Sequence, residues 1–416
     1  MSAVSASSSE PAPSGALARL VGPLAVDEFL DAHWERAPLH VGRDRAGHFA
    51  DLVSVGAIEA ALSRGEPSFP DAQLVRAGTP VPVEDYTDGN GRLLARRTAH
   101  HHRAGATLVL SQAHRRFDAL ATLVRDLEHE LGWRCQANVY LSPPGGSGFA
   151  PHHDTHDVFV LQAAGRKTFR FHTGGVDLPF SDERYDPALS GARELGETIE
   201  LGPGDTLYIP RGIAHDAVAH ADAPSLHVTL GVFPVVLRDV LVEAVRIAAE
   251  RDVELRRSVP RRAWLAADGR AAPALRDALG PALDGALADE VLALALSRLR
   301  DEVAVGSVPE ARGLLGGTSP PAALGPDGTL VLDTSVPMRA ERLGDALRLR
   351  RAGEVIEFTG EAAAAVEALL ARGRVAVGEL AMAAPERRAS LAARLVDAGV
   401  CTVSASDRLV PSEPVR

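Results

Sequence analysis

The chain has 416 residues, of which 46% are hydrophobic, and its formal net charge is −11. This composition is typical of a globular protein, and the length predicts about two to four domains. The negative charge argues against general affinity for nucleic acid or for an anionic membrane surface, because phosphate-binding surfaces are built from excess lysine and arginine. A role on nucleic acid would need a local basic patch.

Cys135 and Cys401 are the only cysteines and lie far apart in the sequence. Neither a disulfide framework nor a thiolate zinc site is indicated, so a reducing, cytoplasmic compartment is expected. Residues 1–15 lack the basic start and apolar run of a signal peptide and are predicted to be a disordered tail. No apolar run is long enough for a membrane span, so no membrane association is expected.

Residues 16–105 begin with a helical pattern, in which Phe29, Leu30 and Trp34 fall on neighbouring turns of one face. In residues 106–235 the sequence pattern changes to short apolar runs separated by glycine and proline. These runs are found at 108–110, 137–141, 158–162, 168–171, 206–209 and 226–230. Their spacing predicts the strands of a small barrel or jelly roll, interrupted by one helix near residues 116–131. The predicted fold class is α+β.

The pattern becomes helical again after Pro234, with apolar residues three and four apart from Leu237 to Ala244 and again over residues 283–299. A stretch rich in glycine and proline, residues 313–328, reads as a linker or long loop. Two further helices are predicted near residues 361–371 and 385–398, with a short connector between them and a closing strand after them. That order is winged-helix-like, but its five acidic residues balance its five arginines, so direct DNA binding is not expected.

The strongest chemical signal is a His-x-Asp pair, His152 and Asp154, which is followed later in the sequence by His215. Side chains at i and i+2 of a strand point the same way, so His152 and Asp154 can grip one ion, and His215 on an adjacent strand can complete the set. Two imidazoles and one carboxylate are the ligands of non-haem Fe(II) oxygenases, and they leave open positions for chemistry. The helical zinc-protease motifs are absent.

Lys167 is the second signal. Residues 159–162 and 167–171 are predicted to form a hairpin, in which alternation puts Lys167 on the same side as Phe169 and Phe171. A buried ammonium needs an anion, and a dicarboxylate that chelates iron at one end and pairs with Lys167 at the other would supply it. That cosubstrate is 2-oxoglutarate. The alternative, that Lys167 extends to water beside the turn, is equally compatible with the spacing.

Other polar residues give weaker signals. His156 shares the parity of His152 and is an alternative ligand or a packed residue. His227 could point into the barrel, as support for the site or as ordinary core. Asn138 and Tyr140 share a strand face and could reach cosubstrate or substrate, or pack in the core. Histidines 100–102 are interpreted as a solvated loop.

Four segments of the chain resemble the JmjC-domain ribosomal oxygenase family, whose members are cupin-like proteins that hydroxylate ribosomal proteins. They read FLDAHWERAPLH from Phe29, NVYLSPPGGSGFAPHHD from Asn138, DVFVLQ with GRK from Asp157 to Lys167, and PGDTLYIPRGIAH from Pro203. The resemblance covers nearly the whole chain after the tail. One departure is His153, which stands where family members usually carry an aromatic residue.

The resemblance implies a double-stranded β-helix (jelly-roll or cupin) core of JmjC type. It puts His152, Asp154 and His215 on the iron ligands and Lys167 on the basic residue that binds 2-oxoglutarate. It also implies a domain order. Residues 16–105 would be an N-terminal α/β region completing the JmjC domain, 106–235 the barrel core, 236–310 a helical dimerisation region, and 311–416 a linker with a winged-helix domain.

The predicted function is therefore an Fe(II)- and 2-oxoglutarate-dependent protein hydroxylase, which acts as a homodimer on a histidine or arginine side chain of a ribosomal protein. Two alternatives remain open. The barrel could hydroxylate a small molecule or peptide, since fold does not decide substrate. Alternatively, the chain could be a winged-helix regulator with a sensory, non-catalytic barrel.

Overall fold

The structure is a computed structural model that describes residues 2–6, 15–183, 185–186, 194–265, 272–306, 325–333, 338–351 and 354–404. The chain divides into two compact units, residues 1–234 and 235–416. No helix in the described ranges is both long and apolar enough to cross a membrane. Both cysteines are free and buried, one in each unit.

Helices and strands alternate in the first half of unit 1. They are β1 (Ser2–Ala6), α1 (Ala16–Val21), α2 (Val26–Ala32), β2 (Leu39–Arg43), α3 (Val55–Arg64), β3 (Ala72–Arg76), β4 (Thr79–Pro80), α4 (Ala95–Arg103), β5 (Thr107–Leu110) and α5 (Asp118–Leu131). Strands then dominate, with β6 (Arg134–Ser142), β7 (Asp157–Ala164), β8 (Lys167–Gly175), β9 (Leu195–Leu201), β10 (Thr206–Ile209), β11 (Ile213–Ala219) and β12 (Ser225–Phe233).

These strands form two sheets. The larger has the order β1-β2-β10-β7-β12-β6-β5-β3-β4, and the smaller has the order β11-β8-β9. Apolar side chains from β7, β8, β9 and β10 form one buried cluster, to which Val158, Val160, Phe169 and Phe171 contribute. The alternate residues of β7, Phe159 and Leu161, belong to a second cluster shared with the helices. Since β7 is buried on both faces, its sequence is almost continuously apolar. The predicted α+β class with a two-sheet barrel core is confirmed.

Three expectations for unit 1 are wrong. Strands β7 and β8 are not a hairpin, because β7 pairs with β10 and β12 whereas β8 pairs with β11 and β9, so the turn between them crosses from one sheet to the other. Residues 2–6 are not a disordered tail, since they pair with β2 as a parallel strand, while residues 7–14 lie outside the described ranges. Histidines 100–102 lie in helix α4 and not in a loop.

Unit 2 begins with helices α6 (Leu237–Arg251), α7 (Arg261–Leu265), α8 (Ala272–Ala286) and α9 (Asp289–Gly306). Small residues such as Ala244, Ala248 and Ala295 let α6, α8 and α9 pack around one buried cluster. The predicted helix over 283–299 is in fact split between α8 and α9. Most of the predicted linker, residues 313–324, falls outside the described part of the chain.

The remainder of unit 2 contains β13 (Thr329–Leu332), β14 (Met338–Leu343), β15 (Ala346–Arg351), β16 (Glu354–Thr359), α10 (Gly360–Arg372), β17 (Arg374–Ala376), α11 (Pro385–Asp397) and β18 (Cys401–Val403). The two sheets have the orders β17-β13-β18 and β14-β15-β16. Their apolar faces and those of α10 and α11 share one core, which includes Phe358, Val366 and Leu391. Both predicted helices of this region are present, whereas β13 to β16 were not predicted.

Candidate metal centre and cosubstrate cavity

His152, Asp154 and His215 converge in unit 1, and the candidate ligand atoms of the three lie within 4.8 Å of one another. Asp154 lies between the two imidazoles, with its carboxylate oxygens 3.9 Å from Nε2 of His152 and 3.8 Å from Nε2 of His215. His152 and Asp154 precede β7 rather than lying in a regular strand. They are brought to His215, on β11, by an isolated antiparallel bridge between the two histidines.

The two imidazoles are oriented by their other ring nitrogens. Nδ1 of His152 lies 2.8 Å from the carbonyl oxygen of Ala150, and Nδ1 of His215 lies 3.0 Å from that of Ile213. A carbonyl can only accept, so each Nδ1 carries the proton and each Nε2 has a free lone pair facing Asp154. Outer hydrogen bonds of this kind are typical of metal-binding histidines.

The protonation states of the cluster also suit a metal. Burial, and then the nearby His152, lower the pKa of His215 to about 4, which keeps its imidazole neutral. Burial opposes ionisation of Asp154, but the surrounding histidines, His156 first, outweigh it and lower the pKa of that carboxyl. A neutral imidazole and an ionised carboxylate are the forms that bind a cation. The donor set therefore fits a divalent metal held by two nitrogens and one oxygen.

The cluster opens into a cavity of about 480 Å³. All six residues predicted for the site line this cavity, namely His152, Asp154, His215, Lys167, Asn138 and His227. The wall also contains Tyr140, Phe149, Phe169 and Thr229, so it is mostly aromatic and apolar with a few convergent polar groups. Such a cavity is suited to a small ligand.

Lys167 is 2% exposed, and its Nζ donates a hydrogen bond to Oγ of Ser142 at 3.1 Å. In the described ranges no carboxylate pairs with it, and burial lowers the pKa of its ammonium to about 7. Alternation along β8 places Phe169 and Phe171 on the same buried side. Lys167 therefore does not extend to water, and it lies in the cavity as a cation-forming group that no carboxylate of the described residues contacts.

Asn138 presents a defined donor to the cavity. Its Oδ1 accepts hydrogen bonds from the backbone N of Gln112 at 3.0 Å and from Nε2 of Gln136 at 2.8 Å. With the oxygen occupied twice, the amide orientation is fixed and Nδ2 remains available. An oriented NH₂ group is suited to a carboxylate or keto oxygen.

His227 forms one wall of the cavity. Its ring stacks on Tyr140 with centroids 4.7 Å apart and an interplanar angle of 2°. Burial, and then the charge of Lys167, lower the pKa of His227 well below its usual value, so the ring is neutral. Its Nδ1 has no hydrogen-bond partner among the residues that the structure describes. This pair provides a flat, rigid surface beside Lys167.

The remaining histidines lie outside the cluster. His156 lines the cavity but stacks on Phe233 with centroids 4.7 Å apart. His153 is buried and meets Tyr185 edge-on. Neither belongs to the group of ligand atoms around Asp154.

Two features of the site were not predicted. Ser142 supplies the polar contact for Lys167, and its hydroxyl lies 3.0 Å from that of Thr107. A buried ion pair also joins Asp157, at the start of β7, to Arg211, in the turn between β10 and β11. The sequence does carry an additional signal for the cavity, because Lys167 is the only lysine among the chain's 44 basic residues. A lysine retained in a chain that otherwise uses arginine marks a position where arginine does not serve.

Comparisons with known proteins agree with this geometry. Residues 110–240 match the family model described as the JmjC domain. The chain is 34% identical over 259 residues to ribosomal oxygenase 1 of Gallus gallus, covering 58% of this chain and 41% of that protein. It is 31% identical over 259 residues to the bifunctional lysine-specific demethylase and histidyl-hydroxylase NO66 of Drosophila persimilis, covering 59% of this chain and 36% of that one. The chain thus spans less than half the length of these curated relatives.

Solved structures of the Escherichia coli ribosomal oxygenase YcfD share the fold. One superposes with a TM-score of 0.54 at 22% identity, covering 92% of this chain and 98% of that chain. Another, determined in complex with cobalt and 2-oxoglutarate, has a TM-score of 0.54 at 21% identity and covers 92% and 99% of the two chains. The chain thus contains a segment that matches the JmjC domain and a His-Asp-His cluster, and it is similar to ribosomal oxygenases in sequence and in fold.

Proposed function

We propose that this protein is an Fe(II)- and 2-oxoglutarate-dependent hydroxylase that acts on a side chain of a ribosomal protein. The observation that carries the proposal is that the His152–Asp154–His215 cluster and the unpaired Lys167 line one cavity. The cluster provides a place for a metal, and Lys167 provides a place for a second carboxylate. A compact diacid such as 2-oxoglutarate satisfies both at once.

In this proposal His152, Asp154 and His215 would hold iron at the wall of the cavity that they line. When bound, iron supplies the activation of O₂ that couples the decarboxylation of 2-oxoglutarate to succinate with hydroxylation of a carbon. The chain's own residues would bind and orient the metal and 2-oxoglutarate, and they would exclude water from the cavity. The hydrogen bonds to Ala150 and Ile213 keep both imidazoles in the tautomer that presents Nε2.

Lys167, with Ser142, is proposed to bind the distal carboxylate of 2-oxoglutarate, and Nδ2 of Asn138 to bind an oxygen at the other end. The stacked rings of Tyr140 and His227 would form the wall along the carbon chain. A carboxylate beside Lys167 restores the charged ammonium that burial disfavours, so ligand binding and lysine protonation are coupled.

The substrate class is inferred from relatives. The names of the matched proteins include ribosomal oxygenase and histidyl-hydroxylase, which supports a ribosomal protein as the substrate and, of the two predicted side chains, a histidine. The test compares ribosomal proteins from cells with the wild-type gene, a gene deletion and the Asp154→Ala variant by intact-mass and peptide mass spectrometry. One peptide that loses a single oxygen atom in both mutant strains supports the proposal. Full modification in the Asp154→Ala strain, or a purified chain that oxidises only small molecules, would contradict it.

The helical region, residues 236–310, is proposed to mediate homodimerisation. Several large apolar side chains of this region are solvent-exposed, most of all Leu237 at 89% and Trp264 at 76%. Leu241 and Val242 on α6 are exposed as well. Exposed apolar patches of this kind mark interaction sites in soluble proteins.

The domain boundaries are proposed as predicted, with residues 16–105 completing the JmjC domain around the 106–235 core and residues 311–416 containing a winged-helix domain. The two helices and three-stranded sheet β17-β13-β18 are compatible with that last assignment. Direct DNA binding remains unfavourable, because arginines of this region are paired with acids, such as Arg342 with Glu367 and Arg348 with Glu357. The two reduced, buried thiols support a cytoplasmic location.

A further inference from the structure

The candidate ligands are supplied by two antiparallel segments, residues 152–157 and 211–215, which we call the ligand ladder. Its first contacts are two backbone hydrogen bonds between His152 and His215, with N–O distances of 3.0 and 2.8 Å. The next is a hydrogen bond of 2.9 Å from the backbone N of Gly212 to the carbonyl oxygen of Asp154. The ladder therefore determines how far Asp154 lies from His215.

The last contact of the ladder is an ion pair between side chains. Nη1 of Arg211 lies 2.8 Å from Oδ2 of Asp157, and the backbone N of Arg211 lies 3.4 Å from Oδ1 of the same carboxylate. Asp157 is fully buried, and the Arg211 side chain is 5% exposed. Asp157 begins β7 and Arg211 lies in the turn between β10 and β11, so the pair joins one end of each ligand-bearing segment.

The pair is anchored to the helical layer of unit 1. Nη1 of Arg211 also lies 2.5 Å from Oε1 of Glu35, just after α2. Oη of Tyr208 donates to Asp157 at 2.8 Å and accepts from the backbone N of Glu35 at 2.9 Å. Glu35 has a φ of 57°, a left-handed conformation disfavoured for residues other than glycine, and these contacts hold it there.

Stability alone gives little reason for this arrangement. Burying two charges is costly, and well-packed apolar residues of similar volume stabilise a core as well or better. The planar guanidinium and the carboxylate instead provide direction, because charge-assisted hydrogen bonds are short and geometrically selective. Position, rather than folding energy, is what such a pair contributes.

We propose that Asp157 and Arg211 are positioning residues of the metal centre, which set the separation of Asp154 and His215 by closing the ligand ladder. The inference rests on the proposed function, since it concerns the iron site. Neither residue lines the cavity, so neither is expected to touch metal, cosubstrate or substrate.

The test measures Co(II) binding to the full-length chain, anaerobically and in the cold, for Asp157→Asn, Arg211→Gln and the double variant. The matched control is Asp205→Asn. Asp205 is also a buried aspartate beside β10, but at the other end of the strand, where it accepts hydrogen bonds from Arg43 and Gly202. Unfolding midpoints are recorded in parallel, and the visible absorption spectrum of bound Co(II) reports its coordination.

All four variants are expected to lower the unfolding midpoint, but only those at Asp157 and Arg211 should weaken Co(II) binding, by about 10- to 100-fold, and change the Co(II) spectrum. If their Co(II) affinity and spectrum match those of Asp205→Asn, the positioning role is refuted. If Asp157→Asn does not fold, Tyr208→Phe and Glu35→Gln decide by the same readouts, and both are expected to bind Co(II) more weakly than Asp205→Asn does. A wild-type chain that binds no Co(II) would instead refute the proposed function, and this inference with it.

Discussion

Lys167 is the residue of the site whose protonation is most strongly affected by its surroundings. Its only described hydrogen-bond partner is the hydroxyl of Ser142, and burial lowers its pKa from 10.5 to about 7. A cation in this position costs free energy until an anion arrives. Lys167 thus reduces the stability of the unliganded chain and is expected to bind the cosubstrate tightly for the same reason.

Affinity for 2-oxoglutarate should therefore depend on pH. In the unliganded chain the pKa of Lys167 is about 7, and the bound carboxylate requires the charged ammonium. The dissociation constant of 2-oxoglutarate should therefore rise as pH increases above 7, by up to about tenfold per pH unit. Calorimetric titration with 2-oxoglutarate in the presence of Mn(II), without oxygen, at several pH values measures this slope. The Lys167→Met variant should bind about 10- to 100-fold more weakly and lose the slope. An equal slope in wild type and variant would contradict the assignment.

Lys167 should also make the stability of the unliganded chain depend on pH. This stability should rise with pH, whereas the affinity for 2-oxoglutarate should fall. The folded pKa of about 7 lies below the unfolded value of 10.5, so between these pH values the unfolded chain binds more protons and wild-type stability rises with pH. Lys167→Met should raise the free energy of unfolding by about 1–4 kcal/mol at pH 7 and below, and the gain should shrink toward pH 10.5. Chemical denaturation across this range, without metal or cosubstrate, checks it. A variant less stable than wild type at pH 7 would be the contrary result.

For individual residues, the sequence alone predicted part of the candidate site. The spacing of His152, Asp154 and His215 indicated the cluster, whereas strand alternation left Lys167 facing either the barrel interior or water. Ser142 and the Asp157–Arg211 pair were not predicted, because each acquires its role from a partner distant in sequence. The orientation of the Asn138 amide likewise depends on Gln112, which no local pattern reveals.

The turn between β10 and β11 is the element that delivers His215. Gly212 adopts a φ of 89° there, and its backbone N donates to the carbonyl oxygen of Asp154. A Cβ at this position would lie 1.8 Å from the carbonyl oxygen of Val176. Both the backbone conformation and the close approach require glycine.

Gly212→Ala should consequently destabilise the chain by about 3 kcal/mol and weaken Co(II) binding, because the turn must shift together with His215. Gly145→Ala is the matched control, since Gly145 has a φ of 67° but no atom within 4 Å of the added Cβ. The control should cost only about 1 kcal/mol and leave Co(II) affinity unchanged. Thermal unfolding and Co(II) titration of both variants are the measurements. Equal effects of the two substitutions would show that close packing at Gly212 is unimportant.

Strand identity could be read from the sequence more reliably than strand pairing. Residues 158–162 and 168–171 were predicted as strands, yet the assumed hairpin is wrong because β7 and β8 belong to different sheets. A short turn with glycine is compatible with both arrangements, and only the packing of distant strands decides between them. Strands such as β2 and β3 were missed because they are short and include polar residues such as His40 and Gln73.

At the scale of the whole molecule, large apolar side chains of the helical region are exposed among the residues that the structure describes. Leu237 is 89% exposed, and Leu241 on the next turn of α6 is 44% exposed. Exposed leucines on one helix face cost solubility unless a partner covers them. A second copy of the chain is the occupant that we infer.

Replacing both Leu237 and Leu241 with glutamate should convert a homodimer to a monomer, because each subunit would then have to bury two charges in the interface. Sedimentation velocity at micromolar concentration measures the change. Val355→Glu, at another exposed apolar position on β16, should leave the dimer intact. Succinate formation by the monomeric variant then tests whether the cavity functions without a partner. A wild-type chain that sediments as a monomer would contradict the dimer proposal.

The central claim is that one cavity binds both a metal and 2-oxoglutarate. The NMR signal of Lys167 tests this claim most directly. Because Lys167 is the only lysine, a chain grown with lysine labelled with carbon-13 at the ε position gives one side-chain NMR signal. With Zn(II) as a diamagnetic substitute, we predict that 2-oxoglutarate shifts this signal to that of a charged ammonium at pH 8, saturably, and that Asp154→Ala weakens the response. A lysine signal that does not respond to 2-oxoglutarate with Zn(II) present would contradict the account.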